Sequence, residues 1–324
     1  MAEVRFIQAI NRALHDAMAE DETVFIIGED IGVAEGPFKA TRGLLSTYGP
    51  TRVYDAPISE AAIAGVAVGA ALTGMRPVAE IMFMDFITLA MDQIVNQAAK
   101  ARSMFGGQGS VPMVIRAPHG GGLSAGPQHS QCLEAWFAHV PGLKVVCPSN
   151  IADAYGLLRS AISDPDPVIV VENKALYAAK GELPEKPAMT PIGKAAIVRS
   201  GRDATIVAYG AAVGMSLSAA DKLEAKGIDI EVLDLRSIQP WDETAVLESL
   251  ARTHRLVIAH EAVEAFGVGA EISARMADVG FDELDGPIVR VGAPFAPVPF
   301  ALSLEQAYRP GPDDIVKAVL RTLE

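Results

Sequence analysis

RVYDAPISEAAIAGVAVGAALTGMRPVAEIMF, residues 52–83, reads as a strand, a helix and a second strand in succession. The strand RVYDA ends at Pro57, Ser59 can cap the next helix, and Glu60 occupies the first turn, where a carboxylate complements the helix dipole. The helix behind it is almost all Ala, Gly and Val, with Gly65 and Gly69 four apart, so it is expected to pack tightly and be buried throughout. A Glu that opens a buried helix is then buried too. Carboxylates in that position resist ionisation and need a hydrogen-bonding partner, which makes Glu60 a candidate proton donor or acceptor. No base lies nearby in sequence, so the expected partner is a ligand or another chain.

The same alternation runs outward in both directions. Strand-like runs occur at TVFIIG (23–28), VPMVIRA (111–117), LKVVC (143–147) and PVIVVE (167–172). Helical periodicity marks 4–18, where Val4, Ile7, Ile10, Leu14 and Met18 share a face, and also 86–103 and 151–162. This pattern predicts an α/β fold with a parallel sheet covered on both faces. GELPEKPAMTP, residues 181–191, breaks the rhythm. Strands then resume at 204–210, 228–235, 255–261 and 287–292, with helices expected at 211–226, 241–252, 268–279 and 312–323. The reading is a first domain over 1–183, a linker over 184–194 and a smaller α/β domain over 195–324.

Composition agrees and narrows the function. A chain of 324 residues is long enough for two cores, and 50% hydrophobic with 21% charged residues rules out disorder as its main state. The net charge of −13 disfavours nucleic acid and anionic lipid as partners. Acidic residues outnumber basic ones 20 to 13 in 191–324, so that part could meet a basic partner. Cys132 and Cys147 have neither disulfide nor zinc spacing, the first residues carry no targeting pattern, and Ala61–Thr73 is too short to span a bilayer. The expected location is the cytoplasm.

A glycine-rich stretch, FGGQG (105–109) with APHGGGLSAGPQHSQ (117–131), follows the strand VPMVIR. It is expected to be a flexible gate carrying His119 and His129 toward a pocket. His129, flanked by Gln128, Ser130 and Gln131, is the better candidate because its neighbours could hold the ring. Two short motifs overlap here. Gly120-x-Gly122-x-x-Ala125 approximates a dinucleotide fingerprint but is interrupted by Pro127. Gly122-Leu-Ser124-Ala-Gly126 matches a nucleophile elbow, and Asp234 with His254 or His260 follows in the chain order of a serine hydrolase. His260-Glu261 opens like a zinc motif, yet residue 264 is Glu, which rejects a metalloprotease.

DAPISEAAIAGVAVGAALTGMRPVAEIMFMDF, AMDQIVNQAAK, QHSQCLEAWFAHVPGLKVVCPS and IEVLDLRSIQPWDE together resemble the β subunit of the E1 component of 2-oxo acid dehydrogenase complexes. These are the thiamine-diphosphate-dependent pyruvate, branched-chain 2-oxo acid and acetoin dehydrogenases. The resemblance runs from the first helix to the last. It implies a pyrimidine-binding domain followed by a transketolase C-terminal-like domain, assembled with an α subunit as an α2β2 heterotetramer whose cofactor lies between α and β.

By the same resemblance, Glu60 matches the glutamate that hydrogen-bonds N1′ of the aminopyrimidine, and the cofactor takes up the electrons released on decarboxylation. Phe86 matches the aromatic position beside the pyrimidine, Ile58 an apolar contact to it, and Glu29 an acid toward the second active site. His129 matches a histidine of substrate binding and acyl transfer to the lipoyl arm. A potassium site of some relatives maps onto oxygens of Met113, Ala161, Ile162, Asp164 and Asp166, where Asp166 departs from an Asn. Leu89 replaces an acid of the inter-site path. The Gly-Asp-Gly motif that holds Mg2+ and the diphosphate is missing from the chain, which assigns Mg2+ to the α subunit. The implied E2 partners are the peripheral subunit-binding domain, docking on the acidic C-terminal part, and the lipoyl domain. Pyruvate is the first substrate, with acetoin and branched-chain 2-oxo acids as alternatives.

Overall fold

In the computed structural model, which describes residues 2–324, the chain divides into two units. The first takes the chain up to His119 together with Trp136–Ile192, and the second takes Gly120–Ala135 together with Gly193–Glu324. Residues 120–135, which lie inside the stretch expected to form the first domain, therefore belong to the second unit.

The first unit contains β1 (Ala2–Arg5), β2 (Val24–Glu29), β3 (Val53–Ala56), β4 (Arg76–Glu80), β5 (Val114–His119), β6 (Lys144–Val146), β7 (Val168–Asn173) and β8 (Lys180–Leu183). Its main sheet runs β6-β7-β5-β4-β2-β3, parallel throughout. Strands β5 and β7 are buried along their whole length, as a sheet covered on both faces requires. The antiparallel pair of β1 and β8 lies apart. On one face, helix Phe6–Glu20 presents Phe6, Ile10, Leu14 and Met18 to a core shared with helix Ile151–Ser163. From β2 the chain adds β3 on one side and then β4 on the other. The strand order therefore reverses between β2 and β4, and ligands of open α/β sheets bind outside the carboxyl ends of the strands at such a reversal.

Three neighbouring strands each carry one charged residue into this core. Arg116 of β5 donates through Nε and Nη2 to the two oxygens of Glu172 on β7, at 2.7 Å each, and through Nη1 to Glu80 on β4. All three side chains are buried. Tyr177 adds a hydroxyl donor to Glu172 at 2.7 Å. Burial pushes the Glu80 carboxyl up despite the pull of Arg116. Burial alone would lower Arg116, but Glu172 and Glu80 outweigh it and keep the guanidinium charged.

The second unit contains β9 (Ala196–Arg199), β10 (Ala204–Ala208), β11 (Ile230–Asp234), β12 (Ser237–Gln239), β13 (Leu256–Val263) and β14 (Val289–Ala293). Its sheet runs β14-β13-β10-β11-β9, parallel except for β9. Helices Ala211–Glu224 and Pro312–Thr322 close one face over Ile206, Val232 and Val257.

Two expectations about helices need correction. The segment 86–103 is not one α-helix but a 3-10 turn (Met84–Ala90), a π-helix (Asp92–Ala98) and a short α-helix (Ala99–Met104). The helix Glu60–Leu72 is not buried throughout. It buries Glu60, Ile63, Ala64, Ala67, Val68 and Ala71 on one face, and leaves Ala62, Val66, Gly69 and Leu72 open on the other. A helix that is apolar all round buries one face against its own sheet and keeps a second apolar face for something else.

Candidate active site

The reversal between β2 and β4 gathers most of the residues singled out in the first unit. Glu29 ends β2, Glu60 opens the helix after β3, and Phe86 lies in the 3-10 turn after β4. Glu60 is only 7% exposed, so the residue is buried in this crevice as the sequence suggested, with its carboxylate oxygens at the opening. Ser59 occupies the cap position but makes no side-chain cap bond; the helix starts through Ile63 N–H donating to the Ser59 carbonyl at 2.9 Å. No hydrogen bond reaches the Glu60 carboxylate among the described residues. Burial, the Glu60 charge and Asp30, in that order, hold the Glu29 carboxyl above its ordinary range. The two acids are thus electrostatically coupled.

Phe86 is half-buried and meets Phe83 edge-on, ring centroids 5.8 Å apart, and Phe83 meets Phe38 likewise at 5.8 Å. This row fixes the ring beside the crevice. Ile58 is 78% exposed, so it contacts little within the chain and presents its side chain outward. Leu89 is also exposed. A groove of about 580 Å³ runs along the open face of the Glu60 helix, lined by Phe25, Tyr54, Ala62, Val66 and Met75.

The glycine-rich segment is pinned rather than loose. Gly122 and Ser124 donate their N–H groups to the two oxygens of Glu305 at 2.8 and 2.9 Å, and Gly121 donates to Glu261 at 2.6 Å. His119 does not ride on this segment: it is buried at the end of β5, with Nε2 3.9 Å from the Cys147 sulfur. His129 is half-buried in the turn that follows, where its N–H donates to the Gly126 carbonyl at 3.4 Å. It belongs to the second unit, whereas Glu29, Ile58, Glu60 and Phe86 belong to the first.

The serine hydrolase reading fails on this geometry. Ser124 sits in irregular chain rather than at the sharp strand-to-helix turn that a nucleophile elbow requires, and its N–H is taken by Glu305. The His254 ring meets the Glu283 carbonyl at 2.9 Å and the His260 ring the Ala262 carbonyl at 3.1 Å, and among the described residues no hydrogen bond joins either ring to Ser124. Glu305 and Arg309 had no signal in local sequence, and Glu261 stood out only as part of a zinc-like pair.

The oxygens considered for potassium are engaged within the chain. The Met113 carbonyl accepts from Val168 at 3.0 Å and that of Ala161 from Asp164 at 3.3 Å. The Ile162 carbonyl accepts from Arg76 Nη1 at 2.8 Å. Both carboxylate oxygens of Asp164 take Lys144 Nζ at 2.7 Å, and Asp166 is paired with Arg102 at 2.5 Å. Arg76 also lies 3.7 Å from Asp21. Three carboxylates here, Asp21 included, thus face three side-chain cations. Asp166 in place of Asn adds the charge that Arg102 cancels. With these oxygens already engaged, the expected result is an equal melting temperature in potassium and sodium chloride at matched ionic strength; a saturable stabilisation specific to potassium would show that the site holds the ion.

Comparison with known proteins agrees with both units. The transketolase pyrimidine-binding domain matches residues 2–180, and the transketolase C-terminal domain matches 193–315. A rice protein (Oryza sativa subsp. japonica) named pyruvate dehydrogenase E1 component subunit beta-2, mitochondrial, is 46% identical over 323 residues, covering 98% of this chain and 86% of the relative. A Bacillus subtilis (strain 168) protein named acetoin:2,6-dichlorophenolindophenol oxidoreductase subunit beta is 48% identical, covering 97% and 96%. The pyruvate dehydrogenase E1 component subunit beta of Rhizobium meliloti (strain 1021) is 46% identical, covering 96% and 68%. Among solved structures, a split-gene transketolase described as an inactive beta4 tetramer superposes with a TM-score of 0.82 at 24% identity, over 99% of this chain and 98% of that one. That last likeness concerns the fold alone. The chain belongs to the family of β subunits of the E1 component of 2-oxo acid dehydrogenase complexes, with a transketolase-type pyrimidine-binding domain followed by a transketolase C-terminal domain.

Proposed function

We propose that this chain is the β half of a thiamine-diphosphate-dependent 2-oxo acid dehydrogenase E1 that decarboxylates pyruvate and passes the acyl group to the lipoyl arm of an E2 acyltransferase. The observation that carries the reading is the buried residue Glu60 at the strand-order reversal, with no hydrogen bond to its carboxylate from the described residues and a second acid, Glu29, beside it. Thiamine diphosphate supplies, when bound, a carbon acid and an electron sink for decarboxylation. Glu60 would hold and move the proton at N1′ of its pyrimidine, Phe86 would flank the ring, and Ile58 would touch it. Glu29 would stand toward the second active site. His129 would serve substrate binding and acyl transfer.

The chain has no Gly-Asp-Gly segment for Mg2+ and the diphosphate, so an α subunit must bring that half of the site, in an α2β2 assembly. The open apolar face of the Glu60 helix is suited to cover by such a partner. The acidic residues of 191–324 suit a basic subunit-binding domain of E2. Among the described residues no helix is long and apolar enough to cross a membrane, and we place the chain in the cytoplasm. A second reading, acetoin as substrate, is favoured by the name of the Bacillus relative.

The test is calorimetric titration of thiamine diphosphate with Mg2+ into this chain alone and into the chain co-purified with an α subunit. Binding only in the mixture is expected, after which turnover of pyruvate, branched-chain 2-oxo acids and acetoin separates the substrates. Tight binding to the chain alone would refute the shared site.

A further inference from the structure

Backbone N–H groups in a glycine-rich segment have no ladder to join, so something else must accept from them if the segment is to hold one shape. Here the acceptors are two buried carboxylates of the second unit. Glu305 is 1% exposed and takes Gly122 N–H and Ser124 N–H, one on each oxygen, at 2.8 and 2.9 Å. Glu261 takes Gly121 N–H and is itself held by Arg309 Nε at 3.1 Å. Glu305 lies in the first turn of helix Leu302–Tyr308 and Arg309 is the residue that follows its last turn, four positions on, and both meet the segment or its anchor Glu261.

Positive φ at Gly120, Gly122 and Ser124 turns the backbone into a concave row of donors, an arrangement that elsewhere captures a bound anion. In this chain the anion is the protein's own Glu305. The pinned strap is short. Two residues beyond Ser124, Gly126 comes up against the Phe300 ring and begins the turn that carries His129. Pro127, Ser130, Gln131 and Cys132 then line a cavity of about 420 Å³ together with Glu261 and Arg309.

We propose that Glu305 is a positioning residue for His129: by binding the Gly122 and Ser124 N–H groups it fixes the strap whose exit sets where that histidine stands. This rests on the reading of His129 as the group that serves acyl transfer to the lipoyl arm. Charge-assisted bonds from two amides to one buried carboxylate hold the strap in place, and displacement of a transfer group by about 1 Å is enough to slow a reaction on the order of 100-fold.

The test uses the heterotetramer with α. In Glu305→Ala, hydrogen exchange of the Gly122 and Ser124 amides should accelerate, acylation of the lipoyl domain should fall in kcat by about 10- to 100-fold, and thiamine diphosphate affinity should hold. Glu305→Gln keeps one acceptor oxygen and should recover part of the loss. Gly121→Ala supplies an independent variant if Glu305→Ala fails to assemble, because a Cβ there would lie 3.0 Å from Glu305 Oε1 and 3.1 Å from Arg309 Cδ and push the strap away with Glu305 intact. Faster amide exchange with unchanged acylation overturns the proposal, as does unchanged exchange in Glu305→Ala. A wild-type heterotetramer without thiamine-dependent decarboxylation would instead sink the functional reading. Unimpaired acylation in His129→Ala would remove the role of that histidine.

Discussion

If Glu60 acts as proposed, Glu60→Gln is expected to leave the complex with α folded and to cut decarboxylation by about 10²- to 10⁴-fold, the range that loss of a positioned acid–base group produces. The amide has nearly the carboxylate's shape but cannot exchange a proton with N1′. Folding should be spared because no hydrogen bond within the described residues reaches the Glu60 carboxylate, so nothing is orphaned by the change. A second signal comes from Glu29. Its carboxyl is raised by burial first and by the Glu60 charge second, so removing that charge should let it fall back toward the ordinary range. Steady-state turnover of 2-oxo acid measures the first effect, and carbon-detected NMR titration of Glu29 in the complex with α the second. Near-normal turnover would take Glu60 out of the chemistry whatever the titration gave.

Arg116→Met should be among the most damaging single changes to stability, at about 3–5 kcal/mol, because it strands two carboxylates in a core that has no water to solvate them. Glu80 and Glu172 are 4% and 0% exposed. The Tyr177 hydroxyl would still serve Glu172 at 2.7 Å, but Glu80 would keep none of its present charge compensation from the guanidinium. Glu80 is already raised by burial against the pull of Arg116, and without that pull it should climb further. A carboxyl raised in the folded state binds protons more readily there than in the unfolded chain. The variant should therefore recover stability as the pH falls and lose it as the pH rises through the raised value. Urea denaturation at neutral and mildly acidic pH reads both the loss and its direction. A wild-type midpoint at neutral pH would mean the ion cluster is dispensable.

The parallel sheets were legible because each strand is a short apolar run between helical periods, as in PVIVVE before Asn173 and ATIVA in β10. Glu60 was legible for a related reason: a single acid in front of a helix of Ala, Gly and Val stands out, and its burial follows from its neighbours. The open face of that helix did not stand out, since Val66 and Gly69 look the same whether covered by this chain or by another. The pinning of the glycine segment was invisible because its bonds join residues 140 and 183 positions apart, Gly121 to Glu261 and Gly122 to Glu305. Glycines read locally mean freedom, and only a distant carboxylate turns them into a fixed strap. The Arg116 cluster left a trace that could have been followed: the apolar strands around RPVAE, VIRA and VIVVE carry Glu80, Arg116 and Glu172 among buried residues, one cation between two carboxylates.

The uncovered side of the Glu60 helix bears on how such a chain lives before it is assembled. Ala62, Val66 and Leu72 with the groove beside them form a sticky strip on a newly made copy, and two such copies meeting first would bury the face proposed for α. Cells are thus under pressure to synthesise both subunits side by side and in step. Overproduction of β by itself should yield inclusion bodies or non-native self-association in proportion to the missing α.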